Sequence, residues 1–177
     1  MLLAAARAEF VERGFHNANV HRICERASMG IGSFYERFAG KAELLLAVME
    51  LWVGDFLAGL QSASASRADM HRSFDTLLTD AQSTALRRAW REAATSEASV
   101  REAADRLRGE QLRRVADLIT SVRASERVST PMLSATEAAW LIFLVMRDGP
   151  LEGDLPDSAS LMHRVLDLAI GEASPAV

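Results

Sequence analysis

No proline precedes Pro131 in this chain of 177 residues, and the four it contains, at 131, 150, 156 and 175, all lie towards the C-terminal end. Proline lacks a backbone donor and collides with the preceding helical turn, so a stretch this long without one is free to run as helices. Alanine (30), leucine (22) and arginine (19) dominate, whereas valine, isoleucine and threonine together number 23. That balance favours helix over strand, and the expected class is all-α. The length allows one or two domains with a sizeable core. Hydrophobic residues at 49% and charged ones at 25% are the proportions of a globular chain. The longest apolar run, Ala138 to Met146, is nine residues and too short for a bilayer. Cys24 stands alone and the opening Met1-Leu2-Leu3 has no basic segment or cleavage site of a secretory signal. A cytoplasmic setting with no membrane partner is therefore expected.

Periodicity divides the chain into a short head and a longer body. Leu3, Ala6, Phe10 and Val11 form a helical stripe that Gly14 should stop, with Phe15 folding back onto it. Asn19 is a good cap for a second helix to Ala27, with Val20, Ile23, Cys24 and Ala27 inward. After a turn at Ser28–Gly30, a third helix is predicted from Ile31 to Arg37, with Phe34 and Phe38 inward. Gly40 breaks it. A fourth helix begins near Lys41 and buries Leu44, Val48, Trp52, Phe56 and Leu60. The serine-rich stretch Gln61–Ser66 is the first joint. Further helices are predicted over 68–81, 84–95, 98–126, 134–148 and 157–171, with a loop at Gly149–Asp157.

Chemistry-bearing spacing is confined to Asn19–Lys41. Two short helices joined by three residues form a helix-turn-helix, which requires a small residue where the helices cross, here Cys24, and a compact turn. It also requires short or polar residues on the outer face of the second helix, here Ile31, Gly32 and Ser33. A structural helix pair with no nucleic acid satisfies the same spacing. Elsewhere, His16, His21, His71 and His163 are scattered and Cys24 has no neighbouring ligand, so no metal or cofactor is expected. Gly30-Ile31-Gly32 is not a dinucleotide loop, because Tyr35 takes the third glycine position and a helix precedes it. No catalytic constellation is apparent, and the chain is not expected to be an enzyme.

The run Phe10, Gly14-Phe15, Val20, Ile23, Ala27, Phe34-Tyr35, Phe38, Gly40-Lys41 and Glu43-Leu44 resembles the DNA-binding head of the TetR family of bacterial transcriptional regulators. The resemblance covers Leu2–Val48. The rest is similar only in being helical, in its length, and in the Arg147-Asp148-Gly149 stop. It implies an all-α protein: a three-helix DNA-binding head with helix-turn-helix (1–45), followed by a helical effector-binding and dimerisation body (46–177). Carried over, Asn19 would lie near a phosphate, with His21 and Arg22 along the same edge. Ile31, Gly32 and Ser33 would face the major groove, and Tyr35, Arg37 and Lys41 would reach phosphates. Ile31 and Gly32 have no hydrogen-bonding side chain, so thymine-methyl contact is the readout Ile31 offers. The implied partners are double-stranded DNA at a palindromic operator, a second copy of the chain and a small apolar effector that releases a repressor. An alternative is an interaction module of the same fold that no longer binds DNA.

Lys41, the only lysine, falls in the first turn of a helix, where a cation opposes the helix dipole. A nearby anion such as phosphate would compensate; a solvated lysine beside Glu43 is the other reading. Tyr35, the only tyrosine, is either a packing residue or an outward phosphate donor. Residues 1–50 balance Arg7, Arg13, Arg22, Arg26, Arg37 and Lys41 against Glu9, Glu12, Glu25, Glu36, Glu43 and Glu50. Phosphate neutralisation supplies much of DNA affinity, and the resemblance implies a basic arm ahead of the first helix; such a segment upstream of Met1 is the expectation, with weak binding by one head and reliance on two as the alternative.

In the body, Trp52, Phe56, Met70, Phe74, Leu78 and Trp90 are large and apolar, and Gln111 interrupts the apolar stripe of the 98–126 helix. These form the expected effector pocket, with plain core as the alternative. Ala138–Met146 is apolar almost all round and needs neighbours on every side. Trp140, Phe143 and Leu144, with Leu161, Val165 and Leu168 on the last helix, form the expected dimer interface, as against a monomeric core.

Overall fold

A computed structural model describes residues 1–62, 66–128, 130–148 and 158–172. The described residues form helices and no strand: α1 (Leu2–Asn17), α2 (Val20–Arg26), α3 (Ile31–Tyr35), α4 (Lys41–Ser62), α5 (Arg67–Thr79), α6 (Ala81–Ser96), α7 (Ala98–Ser125), α8 (Ala135–Asp148) and α9 (Ser158–Ile170). The expected loop at 149–157 lies outside them, as does the middle of the Gln61–Ser66 joint. The chain divides into two compact units, Met1–Gly54 with Ala81–Leu107, and Asp55–Asp80 with Arg108–Val177.

Three boundaries differ from expectation for local reasons. Gly14 breaks α1 with φ 71° and ψ 178°, but a further turn follows it to Asn17. Helix α3 stops at Tyr35 rather than Arg37, because Arg37 N–H bonds the Phe34 carbonyl three residues back and tightens the last turn. Helices α5 and α6 are separated by one extended residue, Asp80, so α6 starts at Ala81 and not at Thr84.

The first unit is built on α1 packed against α6. Ala5 and Ala6 on α1 and Ala89 and Ala93 on α6 are buried, and small residues at helical spacing let the two backbones come close. Phe10, Phe15, Ile23, Phe34, Leu44, Leu45 and Leu86 fill the remaining core. Each such side chain contributes about 1.5–3 kcal/mol by leaving water. Phe15 does fold back, its ring 6.3 Å from that of Phe10.

In the second unit α9 packs against α5 and α8. Met70, Phe74, Ile119, Ile142, Met162 and Leu166 are buried there. Arg123 is buried and caps the end of α9, its Nε donating to the Ala169 and Ile170 carbonyls and its Nη2 to Leu133. Burial pushes its guanidinium pKa down from the usual value, although those carbonyls still favour the cation.

Candidate nucleic-acid interface

Helices α2 and α3 are held by groups that only the folded head brings together. Asn19 caps α2 as its residue type predicts: Oδ1 accepts the His21 N–H at 2.8 Å. Glu9, fully buried on α1, accepts the Asn19 N–H at 3.2 Å and Arg22 Nε at 2.7 Å. Arg13 Nε and Arg26 Nε lie 3.8 and 4.0 Å from the same carboxylate. A buried carboxylate is tolerable only with such partners. Arg26 also forks onto Glu12, with Nη1 on Oε1 at 2.8 Å and Nη2 on Oε2 at 2.5 Å. This pairing holds the Glu12 carboxyl below its ordinary pKa and the guanidinium above its own.

The turn between α2 and α3 closes with the Met29 N–H on the Cys24 carbonyl at 2.9 Å, and Ser28 takes φ 51°. Gly30 caps α3 with an extended backbone. Phe34 is sealed in the core, its ring edge-on to Tyr35 at 5.0 Å and stacked on Phe38 at 5.8 Å.

The nine sequence-predicted DNA residues separate into two groups. Tyr35 is 58% exposed, and Asn19, His21, Gly32 and Arg37 are exposed, with Ser33 and Ile31 half-buried. A side chain added at Gly30 or Gly32 would meet nothing within 4 Å. Packing within the chain therefore makes no demand for glycine at either position. Glycine at 32 costs α3 about 1 kcal/mol relative to alanine.

Arg22 and Lys41 form the second group, engaged internally. Arg22 spans Glu9 and the Asn17 carbonyl, the latter at 2.9 Å. Lys41 Nζ donates to the Phe15 and His16 carbonyls at 2.9 Å each, approaches Ala18 O at 3.5 Å, and lies 4.7 Å from the Phe15 ring centre. The conflict expected between Lys41 and the α4 dipole is thus offset within the chain, by the carbonyls that end α1, and neither a phosphate nor open solvent is needed for it.

The predicted body residues also divide. Trp52 and Trp90 lie in the first unit, half-buried against its core. Phe56, Met70, Phe74, Leu78 and Gln111 belong to the second unit. Met70 and Phe74 are sealed there, with the Phe56 ring edge-on to Phe74 at 5.6 Å; Leu78 and Gln111 are half-buried. A separate cleft of about 770 Å³ in the second unit is lined by Arg67, Glu126, Thr130, Met132, Asp167 and Leu168, none of them expected as pocket residues. Trp140, Leu144, Leu161 and Leu168 are 36–43% exposed, while Phe143 and Val165 are half-buried.

Two residues have structural duties at the head that the sequence did not assign them: Glu9 was counted only as a charge, and Glu92, expected on a solvated face, is half-buried. Glu9 follows Ala5 by one helical turn, so periodicity alone puts it on the buried face of α1. Glu92 on α6 accepts the Phe15 N–H at 2.8 Å across 77 residues of sequence, and no local pattern marks it. Among the described residues no three His, Cys, Asp or Glu side chains group to hold a metal ion, and no helix is long and apolar enough to cross a membrane.

Residues 2–48 match the sequence model of the family described as bacterial regulatory proteins, tetR family. The HTH-type transcriptional activator FasR of Mycolicibacterium smegmatis is 37% identical over 68 residues, 38% of this chain and 31% of that protein. The chain thus matches about a third of that relative's length. The fatty acid degradation regulator FadR of Bacillus halodurans has a similar fold, with a TM-score of 0.68 at 19% identity over 96% of both chains. FadR of Bacillus subtilis, solved with stearoyl-CoA, gives 0.62 at 19% identity, again over 96% of both. Reduced NemR of E. coli gives 0.68 at 17% identity, over 96% of this chain and 91% of that one.

Proposed function

We propose that this chain, whose residues 2–48 match the tetR family of bacterial regulatory proteins, is a member of that family and a transcriptional regulator that binds operator DNA as a homodimer. Residues 1–45 are the DNA-binding part and 46–177 the effector-binding and dimerising part. The observation that carries the reading is the outer face of α3. Gly32 is exposed with open space where a side chain would stand, beside a 58% exposed Tyr35 and an exposed Arg37. A glycine that weakens a five-residue helix and serves no internal packing is accounted for by close approach of an external surface.

In this reading Ile31, Gly32 and Ser33 meet base edges in the major groove, and Tyr35, Arg37, His21 and Asn19 meet the phosphates. Arg22 and Lys41 hold the elements that present them. Two heads, paired through Trp140, Phe143, Leu144, Leu161, Val165 and Leu168, occupy successive major grooves of a palindromic operator. A small apolar effector shifts the dimer towards a conformation that fits DNA poorly, by as much as its affinities for the two conformations differ. Stearoyl-CoA, with which the Bacillus subtilis relative was solved, joins an apolar acyl chain to a charged nucleotide, so it and the free fatty acid are the first compounds to test.

Repression is the proposed output. The activator name of FasR favours a second reading, activation from the same operator, and a promoter fusion measured with and without the protein separates the two. DNA binding itself is tested with Gly32→Ala. Fluorescence anisotropy with duplexes tiling the intergenic DNA upstream of the gene should show binding weakened about tenfold or more, while thermal stability holds or rises. Unchanged binding would remove the main support for the reading.

A further inference from the structure

Resting on the DNA-binding reading above, we infer that Glu92 of α6 is a positioning residue that sets the posture of the α2 N-terminus, and through it the affinity for operator DNA. Gly14 interrupts α1 at φ 71°, so the Phe15 N–H does not continue the helical ladder and instead meets Glu92 Oε2 at 2.8 Å. The carboxylate lies directly over the break. A Cβ at residue 14 would fall 2.7 Å from Oε2 and 3.1 Å from Oε1, so the backbone angle favours glycine and any larger residue would push the Glu92 carboxylate aside. Arg88, one turn earlier on α6, approaches Oε1 at 3.9 Å from the other side.

The five residues from Phe15 to Asn19 are then bound at each step. The Phe15 N–H goes to α6 through Glu92, and the Phe15 and His16 carbonyls go to Lys41 at the start of α4. The Asn19 N–H goes to Glu9 on α1, and the Asn19 side chain caps α2. Negative charge grips the donor and positive charge the acceptors of one short connector, which ends at the cap of the helix proposed to meet phosphate. Displacing α6 pulls on the Phe15 N–H, and α2 has no slack with which to absorb it.

The test uses the full chain and the variants Glu92→Ala and Glu92→Gln. Hydrogen exchange followed by mass spectrometry reads the connector without DNA. Glu92→Ala should speed exchange in peptides covering 15–22 by about tenfold, the scale set by losing one charge-assisted hydrogen bond, with α4 and α9 unchanged. Glu92→Gln, which keeps an acceptor oxygen, should recover most of the protection. Anisotropy with the intergenic duplexes should then follow the same order, Glu92→Ala weakest and Glu92→Gln within about threefold of the parent chain. Unchanged exchange at 15–22 in Glu92→Ala overturns the positioning role. Faster exchange with undiminished DNA affinity overturns the link to the operator. A parent chain that binds none of the duplexes, with exchange still faster in Glu92→Ala, sinks the DNA-binding reading while the grip on the connector stands.

Discussion

Lys41→Ala separates two roles that the sequence left open. Its ammonium makes two 2.9 Å bonds to carbonyls of the α1–α2 connector and lies 4.7 Å from the Phe15 ring centre. A hydrogen bond from a charged donor contributes about 1.5–3 kcal/mol, and the ring contact adds about 0.5–1 kcal/mol. Not all of this is lost on truncation. His16 is exposed and its carbonyl can be rehydrated, and removing a cation from the first turn of α4 returns about 0.3–1 kcal/mol. Phe15, buried at 1% exposure, leaves its carbonyl the harder one to solvate. The net expectation is a loss of about 2 kcal/mol, or roughly 4–8 °C in Tm for a chain of this size.

Urea unfolding of the parent, Lys41→Ala and Lys41→Met measures it. The methionine keeps the apolar stem and isolates the ammonium. Both variants should lose midpoint with little change in slope. The salt dependence of DNA binding should stay parallel to the parent's, because the ammonium is spent within the chain. The reasoning is refuted by unchanged stability together with a salt slope reduced by about 0.9, the signature of one lost phosphate contact.

Tyr35→Phe removes only a hydroxyl from an exposed ring, so stability should stay within about 0.5 kcal/mol while affinity falls alike for every duplex sequence; a sequence-selective loss would move Tyr35 from phosphate to base. Leu161→Glu puts a charge among half-exposed apolar residues of α8 and α9 and should shift a dimer to monomer in analytical ultracentrifugation, with secondary structure intact by circular dichroism. A dimer that persists places the interface elsewhere. At the start of α8, the Ser134 N–H donates to Glu137 Oε2 at 2.8 Å and the Glu137 N–H to Ser134 Oγ at 3.2 Å, a reciprocal cap. Ser134 holds the Glu137 carboxyl below its ordinary value of 4.5. A carboxyl depressed by folding stabilises above its unfolded pKa and ceases to as pH falls through the folded one. Protection at 134–138, taken relative to the intrinsic exchange rate at each pH, should therefore fall as pH drops below about 4.5 in the parent, and Glu137→Gln should flatten that fall.

How far the sequence reached follows the range of the interactions involved. The break at Gly14, the Asn19 cap and the inward Phe34 were legible because each depends on neighbours within a turn or two, whereas the sequence left Tyr35 open between packing and exposure. Trp140 and Leu144 are incompletely covered within the chain, as fits a helix apolar on almost every side that needs more than one layer of neighbours. The start of α6 was expected at 84 and falls at Ala81, because a one-residue joint at Asp80 carries no turn signature. The pairings Glu9–Arg22 and Glu92–Phe15 span 13 and 77 residues, and helix periodicity fixes only which way a side chain faces. The balance of charge in residues 1–50 shows the consequence for function. Six basic residues against six glutamates suggests a head indifferent to phosphate, yet Glu9 is sealed beneath Arg22, and Glu12 is tied to Arg26. Lys41 is turned onto the chain's own carbonyls. A formal sum weighs a buried carboxylate and an exposed guanidinium alike, whereas on the proposed reading an approaching duplex would meet Arg37, His21 and the Tyr35 ring, and the field it felt would depend on those and on the glutamates left at the same surface.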